Sequence, residues 1–301
     1  MEKTKLDSLA KGTVLNDRYV LGRVIGNGGF GIIYLAYDTE CERKVAIKEY
    51  FPVGLAVRIP DNVTIDSISF RQEKDFQKGR ERFFNESELL LKLGGSIDVV
   101  KVYDVFTQNG TAYYAMEYVE GLTIAQYTKI YGKITSGQAL FAAAKISSDF
   151  TFIHAQNIIH RDLSPDNIMI TEDGNVRIVD FGNARPFSYD EENSLTVALK
   201  PGYAPLEQYQ HYGSQGPWTD IYSLGAVLYY ALTLDNPQDP MSRIEDDSEF
   251  RAGLSLIDRQ LAEIISKMTA IKTDERYING AEVSTDLKKV RLVAEKFKKA
   301  V

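Results

Sequence analysis

The chain has 301 residues, 44% hydrophobic and 26% charged, a balance that predicts a folded protein and argues against disorder. Its formal net charge of -7 argues against nucleic acid or an anionic membrane as the main partner, because no overall positive field attracts either. The single cysteine, Cys41, excludes an internal disulfide and favours a reducing, cytoplasmic location.

Neither a secretory signal nor a membrane span is predicted. The first fifteen residues are polar and lack the apolar run of a secretory signal. The most apolar later stretch, IYSLGAVLYYALTL at 221–234, is shorter than the ~20 residues that cross a bilayer. We therefore predict no membrane insertion within this chain and interpret 221–234 as a buried helix.

The first hundred residues are mostly strand-like. The predicted strands lie at 19–26, 31–38 and 44–50, and a hairpin at 102–118 turns at Asn109 and Gly110. One helix is predicted from about Lys74 to Leu93, where apolar residues recur at helical spacing before two glycines. Residues 51–70 contain Pro and Asp-Asn breakers and are interpreted as an inserted loop or hairpin.

Helical patterns dominate after Gly121. The predicted helices lie at 137–156, 219–234, 256–268 and from 281 to the end, where the basic, amphipathic RLVAEKFKKA is interpreted as a solvated helix face. The fold class is therefore α+β. We predict an N-terminal extension (1–17), a small β-rich N-lobe with one main helix (18–118) and a larger, mainly helical C-lobe (119–301). Ligands usually bind in clefts between lobes.

A glycine-rich stretch, GNGGFG, lies between the first two predicted strands. Glycines at 26, 28 and 31 would let backbone amides approach phosphate oxygens closely. A strand follows this stretch, which excludes the dinucleotide-binding βαβ unit, in which a helix follows. A glycine-rich hairpin without a ligand is the alternative.

The VAIK stretch is predicted to be a strand with Ala46 and Lys48 on one face. A small residue leaves room for a flat ring, and the lysine supplies a cation two positions later. Glu86 is the best candidate partner for Lys48, with Glu88 as the alternative. A lysine that is merely solvated is the other interpretation.

The segment HRDLSPDNIMITEDGNVRIVDFGNAR places two carboxylates and an amide, Asp162, Asn167 and Asp180, on two predicted loops joined by a short hairpin. Together with GNGGFG, VAIK, a Pro-x-Glu after the DFG and a later Asp and Arg, this segment makes the chain resemble the protein kinase superfamily over about residues 18–295. The order and spacing of these motifs make the resemblance specific. It is most similar to bacterial kinases of the eukaryotic Ser/Thr type, which implies the bilobal protein kinase fold.

The resemblance implies ATP and Mg²⁺ as cofactors. Lys48, held by Glu86, would contact the α- and β-phosphates. Asn167 and Asp180 would supply oxygen ligands to Mg²⁺, and Asp162 would accept or orient the substrate hydroxyl. The residues expected to bind the nucleotide are Ile25, Gly26, Asn27, Gly28, Gly29, Phe30, Gly31, Ile33, Ala46, Lys48, Met116, Glu117, Tyr118, Val119 and Met169.

Other residues are expected to have structural or regulatory roles. By resemblance, His160 would pack against Phe181, and Asp220 would tie the catalytic loop to a central helix. Glu207 and Arg276 would form an ion pair. A phosphate on the segment that holds Ser188, Tyr189, Ser194 and Thr196 could pair with Arg161 and order the segment. Pairing of the local basic residues with acidic residues 190–192 is the alternative.

Two positions depart from the family pattern. Ser164 stands where most Ser/Thr kinases of the family have a lysine that steadies the γ-phosphate, and Lys200 stands where they have a threonine. We predict that the Lys200 ammonium approaches Asp162 and the γ-phosphate, with a solvent-facing Lys200 as the alternative. Loss of one such donor typically lowers the rate about 10²- to 10³-fold, which leaves slow turnover.

The sequence therefore predicts an ATP-dependent kinase that acts on Ser or Thr hydroxyls of proteins. It does not identify the protein substrate. Self-association of two copies for autophosphorylation is a further prediction. The catalytic residues would be Lys48, Glu86, Asp162, Asn167, Asp180 and Lys200. The alternatives are a nucleotide-binding pseudokinase scaffold and a small-molecule phosphotransferase. Tyrosine specificity is disfavoured because the catalytic loop keeps Pro165.

Overall fold

A computed structural model describes residues 8–29, 31–92, 100–180, 199–210 and 213–297, and the backbone of 185–186. The chain divides into two compact units. The first unit comprises 1–96 and 100–118, and the second comprises 97–99 and 119–301.

The first unit is a twisted antiparallel sheet with one helix. Its strands are β1 (Val14–Leu15), β2 (Tyr19–Gly28), β3 (Gly31–Asp38), β4 (Arg43–Tyr50), β5 (Ala56–Arg58), β6 (Ile65–Ser67), β7 (Val102–Gln108) and β8 (Thr111–Glu117), and its helix is α1 (Glu73–Lys92). The main sheet has the order β1-β2-β3-β4-β8-β7, which places β4 between β3 and β8. The predicted strands and the predicted helix are confirmed.

The two faces of β4 have different neighbours, because side chains alternate along a strand. Phe83 of α1 packs on Tyr50 and Tyr114, with ring centroids 5.5 and 5.2 Å apart. Tyr114 lies opposite Lys48 in the β4-β8 register, so α1 covers the face of the sheet that carries Lys48. The opposite face carries Glu49.

The insertion at 51–70 forms a second hairpin, β5-β6, held to the sheet by a buried ion pair. Arg58 donates to the Glu49 carboxylate at 2.8 Å, and the two side chains are 2% and 0% exposed. Tyr34 and Tyr113 donate their hydroxyls to the same carboxylate at 2.7 Å each. Three donors thus satisfy a charge that would otherwise be very unfavourable to bury.

The second unit is mainly helical. Its helices are α2 (Ile124–Tyr131), α3 (Ser136–Ala155), α4 (Leu206–Tyr209), α5 (Pro217–Thr233), α6 (Pro240–Glu245), α7 (Ser248–Leu254), α8 (Arg259–Met268) and α9 (Gly280–Leu287). Its strands are β9 (Gly121–Thr123), β10 (Ile158–Ile159), β11 (Ile168–Thr171), β12 (Val176–Ile178) and β13 (Arg185–Pro186). The apolar stretch that was expected to be a buried helix lies in α5 up to Thr233, and the residues of this helix are mostly buried. None of the helices in the described part of the chain is long and apolar enough to span a membrane.

The prediction of a helix from 281 to the end is wrong for residues 288–297, and residues 298–301 lie outside the described residues. The backbone of Glu295 donates to Gly137 O at 3.0 Å, and that of Phe297 donates to Gly174 O at 3.2 Å. Phe297 is buried against the edge of Tyr127, with ring centroids 5.3 Å apart. These tertiary contacts override the amphipathic pattern, so residues 291–297 are not the solvated helix face that was expected.

Candidate active site

Lys48 lies in the centre of the first unit's sheet. It pairs in register with Ile33 on β3 and Tyr114 on β8, and it is only 5% exposed. The interpretation of Lys48 as a merely solvated lysine is therefore wrong. A buried ammonium needs an anionic or hydrogen-bonding partner nearby.

The position of α1 favours Glu86 over Glu88 as that partner. Phe83, one turn before Glu86, packs on Tyr114, the strand neighbour of Lys48. Residues three or four apart lie on one side of a helix, so Glu86 lies on the side of α1 that faces the sheet. Glu86 is half-buried whereas Glu88 is exposed. The Lys48–Glu86 pair stays a prediction.

The glycine-rich hairpin has two kinds of glycine. A Cβ on Gly31 would lie 2.2 Å from the carbonyl oxygen of Glu49, so packing requires glycine there. A Cβ on Gly28 or Gly29 would meet no atom of the described chain within 4 Å, and neither has a positive φ. Glycine at these two positions is not required by the described packing, and it fits a site where phosphate oxygens approach the backbone. Phe30 lies outside the described residues.

The residues expected to enclose adenine are divided between the units. Ala46 and Met116 are register partners on the Lys48 face and are both buried, and Ile33 is half-buried beside Lys48. Of the other residues expected to bind adenine, Glu117 and Tyr118 belong to the first unit, and Val119 and Met169 belong to the second. Met169 is half-buried on β11 between two fully buried isoleucines, so its side chain lies on the opposite face of that strand.

The backbone that precedes Asp162 is fixed by Asp220 of α5, as predicted. The fully buried Asp220 carboxylate accepts the N–H groups of His160 and Arg161 at 2.8 Å each and contacts His154 Nε2 at 2.8 Å. Burial opposes its ionisation, but the His154 hydrogen bond and charge and the His160 N–H lower the pKa of Asp220. These bonds hold Arg161 at φ 69°, a left-handed conformation that is uncommon for arginine.

Asn167 joins the loop of Asp162 to the residue before Asp180. Its side-chain nitrogen donates to the main-chain carbonyl of Asp162, and its own main-chain carbonyl accepts the N–H of Val179 at 2.8 Å. This orientation leaves the amide oxygen of Asn167 as the atom that can bind a cation. Asp180 has φ 62°, so its main chain is also left-handed. The structure thus brings together the three residues expected to bind metal and substrate in the second unit.

Asn167 and Asp180 fit a magnesium site of the kind that is completed by water and phosphate. Both supply hard oxygen donors, which Mg²⁺ prefers, and Mg²⁺ in such sites usually keeps several waters. The described residues contain no group of three or more His, Cys, Asp or Glu side chains that could hold a metal ion alone.

Lys200 lies beside the catalytic loop, so its predicted approach to Asp162 is confirmed. Its Nζ donates to Ser164 Oγ at 2.7 Å. It also lies 3.9 Å from Asp162 Oδ1 and 3.8 Å from Asp166 Oδ2. Sequence reasoning identified the lysine but missed Ser164 as its acceptor.

His160 has the surroundings of a structural residue. It is fully buried, and its Nδ1 accepts the N–H of Asp162 at 3.3 Å. Burial lowers the pKa of His160, which favours the neutral ring. This supports the structural role predicted for it, while Phe181, its expected packing partner, lies outside the described residues.

The predicted ion pair between Glu207 and Arg276 is confirmed. The two groups form a buried bidentate pair with contacts of 2.7 and 3.1 Å. Arg161 donates to Gln215 at 2.7 Å, an anchor that sequence reasoning missed. The predicted phosphate acceptors Ser188, Tyr189, Ser194 and Thr196 lie outside the described residues, as do acidic residues 190–192.

Known proteins are similar to this chain over most of its length. The family model of the protein kinase domain matches residues 19–290. The chain belongs to the protein kinase family. Two similar curated proteins are PrkC of Bacillus subtilis, 29% identical over 92% of this chain and 41% of its own length, and PknB of Mycobacterium tuberculosis, 32% identical over 92% and 43%. Both are named serine/threonine-protein kinases.

A solved structure with the description PpkA-294 apo form is 33% identical, with a TM-score of 0.80 over 93% of this chain and 99% of the other. The chain spans about two-fifths of the length of the curated relatives that it matches, 41% and 43% in PrkC and PknB. The predictions of the family and of the α+β kinase fold are confirmed.

Proposed function

We propose that this chain transfers the γ-phosphate of Mg-ATP to serine or threonine hydroxyls of proteins. The observation that carries the proposal is the position of Asn167, which is hydrogen-bonded both to Asp162 and to the residue before Asp180. One loop pair thus holds a proton acceptor and two metal-binding oxygens. Phosphoryl transfer needs little covalent help from the protein, so such positioning is the main requirement.

Each residue has a role that its surroundings support. Lys48, buried in the sheet, would bind the α- and β-phosphates, and Glu86 would hold it. Asp162, with its side chain 24% exposed, is accessible to a substrate hydroxyl and would accept or orient its proton. Asn167 and Asp180 would hold Mg²⁺, which when bound neutralises charge on the phosphate oxygens. Gly28 and Gly29 would donate backbone N–H groups to phosphate.

The function is tested with purified chain, Mg²⁺ and γ-labelled ATP, with a general protein substrate and a pool of small hydroxyl metabolites. We expect label on serine or threonine of protein, and Asp162→Asn should lower its appearance by at least about 10³-fold without loss of the folded state. Label on a metabolite alone would show a small-molecule phosphotransferase. ATP binding without transfer would show a pseudokinase, and either outcome would contradict the proposal.

Cytoplasmic location and self-association for autophosphorylation stay predictions. A dilution series of the labelling reaction tests the second one. Transfer between two copies has a rate per molecule that rises with protein concentration, whereas transfer within one copy does not. Labelling of a Lys48→Ala copy by the unmodified chain would show transfer between two copies directly.

A further inference from the structure

We propose that Lys200 supplies a catalytic cation beside Asp162 and that Ser164 is the hydroxyl that holds it there. This inference rests on the proposed kinase function and goes beyond it, because it gives a reaction role to two residues outside the acid, amide and metal set. The Lys200 ammonium donates to Ser164 Oγ at 2.7 Å, and Ser164 is only 1% exposed. The acceptor is therefore fixed by packing.

The nature of the acceptor decides what the ammonium can do. A hydroxyl is neutral, so it positions the lysine without cancelling its charge. The two carboxylates near Nζ, those of Asp162 and Asp166, are 3.9 and 3.8 Å away, longer than the 2.7–2.9 Å of a charge-assisted hydrogen bond. The positive charge is thus close to Asp162 and remains available to a phosphate oxygen.

The main chain of Lys200 is fixed relative to the catalytic loop. The carbonyl of Lys200 accepts the N–H groups of Tyr203 and Ala204 at 3.1 and 3.0 Å, which makes a tight turn. Ser223 of α5 donates to Tyr203 O at 2.9 Å. Because α5 also carries Asp220, which holds the backbone before Asp162, one helix positions both the cation and the carboxylate.

Lys200 also lies at an open surface. Its side chain is 38% exposed, and it lines a small concavity together with Asp162, Leu163, Tyr203 and Ser223. A lysine that served only to neutralise Asp166 would contribute little, because the Asp166 side chain is 67% exposed and water and salt screen such surface pairs. The placement points to a role in the reaction.

The test is a steady-state kinetic comparison of four variants of the full chain. Lys200→Met keeps the aliphatic stem and removes the charge, and we expect kcat to fall about 100- to 1,000-fold. The KM for ATP should change by less than about threefold, because an interaction made only in the transition state affects kcat rather than binding. Lys289→Met, which removes an exposed lysine of the second unit that also contacts an aspartate, is the control and should keep kcat within about twofold.

The decisive variant exchanges the two residues, Ser164→Lys with Lys200→Ser. The 2.7 Å contact places position 164 close enough to return an ammonium to the same region, so we expect at least a tenfold gain in kcat over Lys200→Met. If the exchange variant does not fold, Lys200→Arg replaces it. Arginine keeps the charge and should retain at least about a tenth of the kcat.

Three results would overturn the inference. One is a kcat for Lys200→Met within about threefold of the unmodified chain. Another is a folded exchange variant with no gain, or Lys200→Arg as slow as Lys200→Met, because the lysine would then be structural. Absence of phosphate transfer by the unmodified chain would instead overturn the proposed function, and the inference with it. The two failures are thus distinguishable.

Discussion

Each unit has a buried carboxylate near a candidate reactive residue, Glu49 beside Lys48 and Asp220 near Asp162. The two carboxylates accept hydrogen bonds from different kinds of donor. Glu49 follows Lys48 on β4 and is satisfied by side chains, those of Arg58, Tyr34 and Tyr113. Asp220 is satisfied mainly by the main chain it positions, the N–H groups of His160 and Arg161. The first arrangement attaches an inserted hairpin to a sheet, and the second fixes the conformation of a loop.

This difference predicts at which carboxylate a second substitution can restore the stability lost by the first. Side-chain donors can be exchanged together with their acceptor, because apolar residues of similar volume can fill the same space. Backbone donors stay in place whatever the acceptor becomes. Stability lost at Glu49 should therefore be recoverable by a compensating change, whereas stability lost at Asp220 should not.

The largest effect is expected for Glu49→Ala. It leaves the Arg58 guanidinium buried without its carboxylate, and breaking a buried pair in this way costs about 3–5 kcal/mol. Urea unfolding of the first unit measures the loss. The double variant Glu49→Leu with Arg58→Met should recover part of it. Adding Tyr34→Phe and Tyr113→Phe, which removes the two hydroxyls left without an acceptor, should recover more. A loss below about 1 kcal/mol for the single variant would show that the hairpin is not held by this pair.

The next effect is expected for Asp220→Asn, which keeps the shape of the side chain and removes its charge. Hydrogen bonds to charged groups contribute about 1.5–3 kcal/mol each, so we expect a loss of about 2–3 kcal/mol together with slower phosphate transfer. Because the pKa of Asp220 is lowered on folding, its contribution is present above the unfolded pKa of about 4 and is lost as pH falls further. In the variant this acid-dependent loss should be absent, and acid titration of unfolding checks it.

A third buried carboxylate, Asp149 on α3, sharpens the comparison because one of its oxygens, Oδ2, has no donor in the described part of the chain. Burial raises the pKa of Asp149 to about 6. The folded state therefore favours the protonated form, so stability falls as pH rises from 4 to above 6, by up to about 3 kcal/mol. Asp149→Asn should stabilise the protein by about 1–3 kcal/mol at pH 7.5 and have little effect at pH 4. Thermal unfolding at both pH values measures this, and equal effects at the two would contradict it.

The smallest effect is expected at an ion pair that is exposed to solvent. Lys289 and Asp286 approach to 2.7 Å, but their side chains are 71% and 30% exposed. Water and salt screen such pairs, so Lys289→Met should change the free energy of unfolding by less than about 0.5 kcal/mol. Urea unfolding measures this change. A larger loss of stability would mean that burial does not explain why the buried ion pairs contribute more than the exposed one.

The sequence predicted those features that local patterns encode. Alternation in VAIK placed Ala46 and Lys48 on one face of a strand, and helical spacing located α1 to within one residue at each end. The candidate site in the second unit was predicted from the resemblance to the kinase family, whose motifs include Asp162, Asn167 and Asp180 within one short stretch of chain.

Contacts between distant segments could not be predicted. Nothing near Glu49 in the sequence indicates that Arg58 and Tyr113 will surround it, because those neighbours come from an insertion and from another strand. Phe297 likewise ends in a contact with Tyr127 rather than in the helix that its own segment favours. Short helices such as α6 and α7 were missed because six or seven residues carry little periodicity.

The left-handed main chain at Arg161 has a consequence for how this protein would respond to selection. A non-glycine residue in that region of φ and ψ typically stores about 1–3 kcal/mol, which glycine would release. Random mutagenesis followed by a heat challenge should therefore enrich Arg161→Gly, and a screen for turnover should reject it. At this position robustness and speed favour opposite residues, and arginine at 161 is the choice that favours speed.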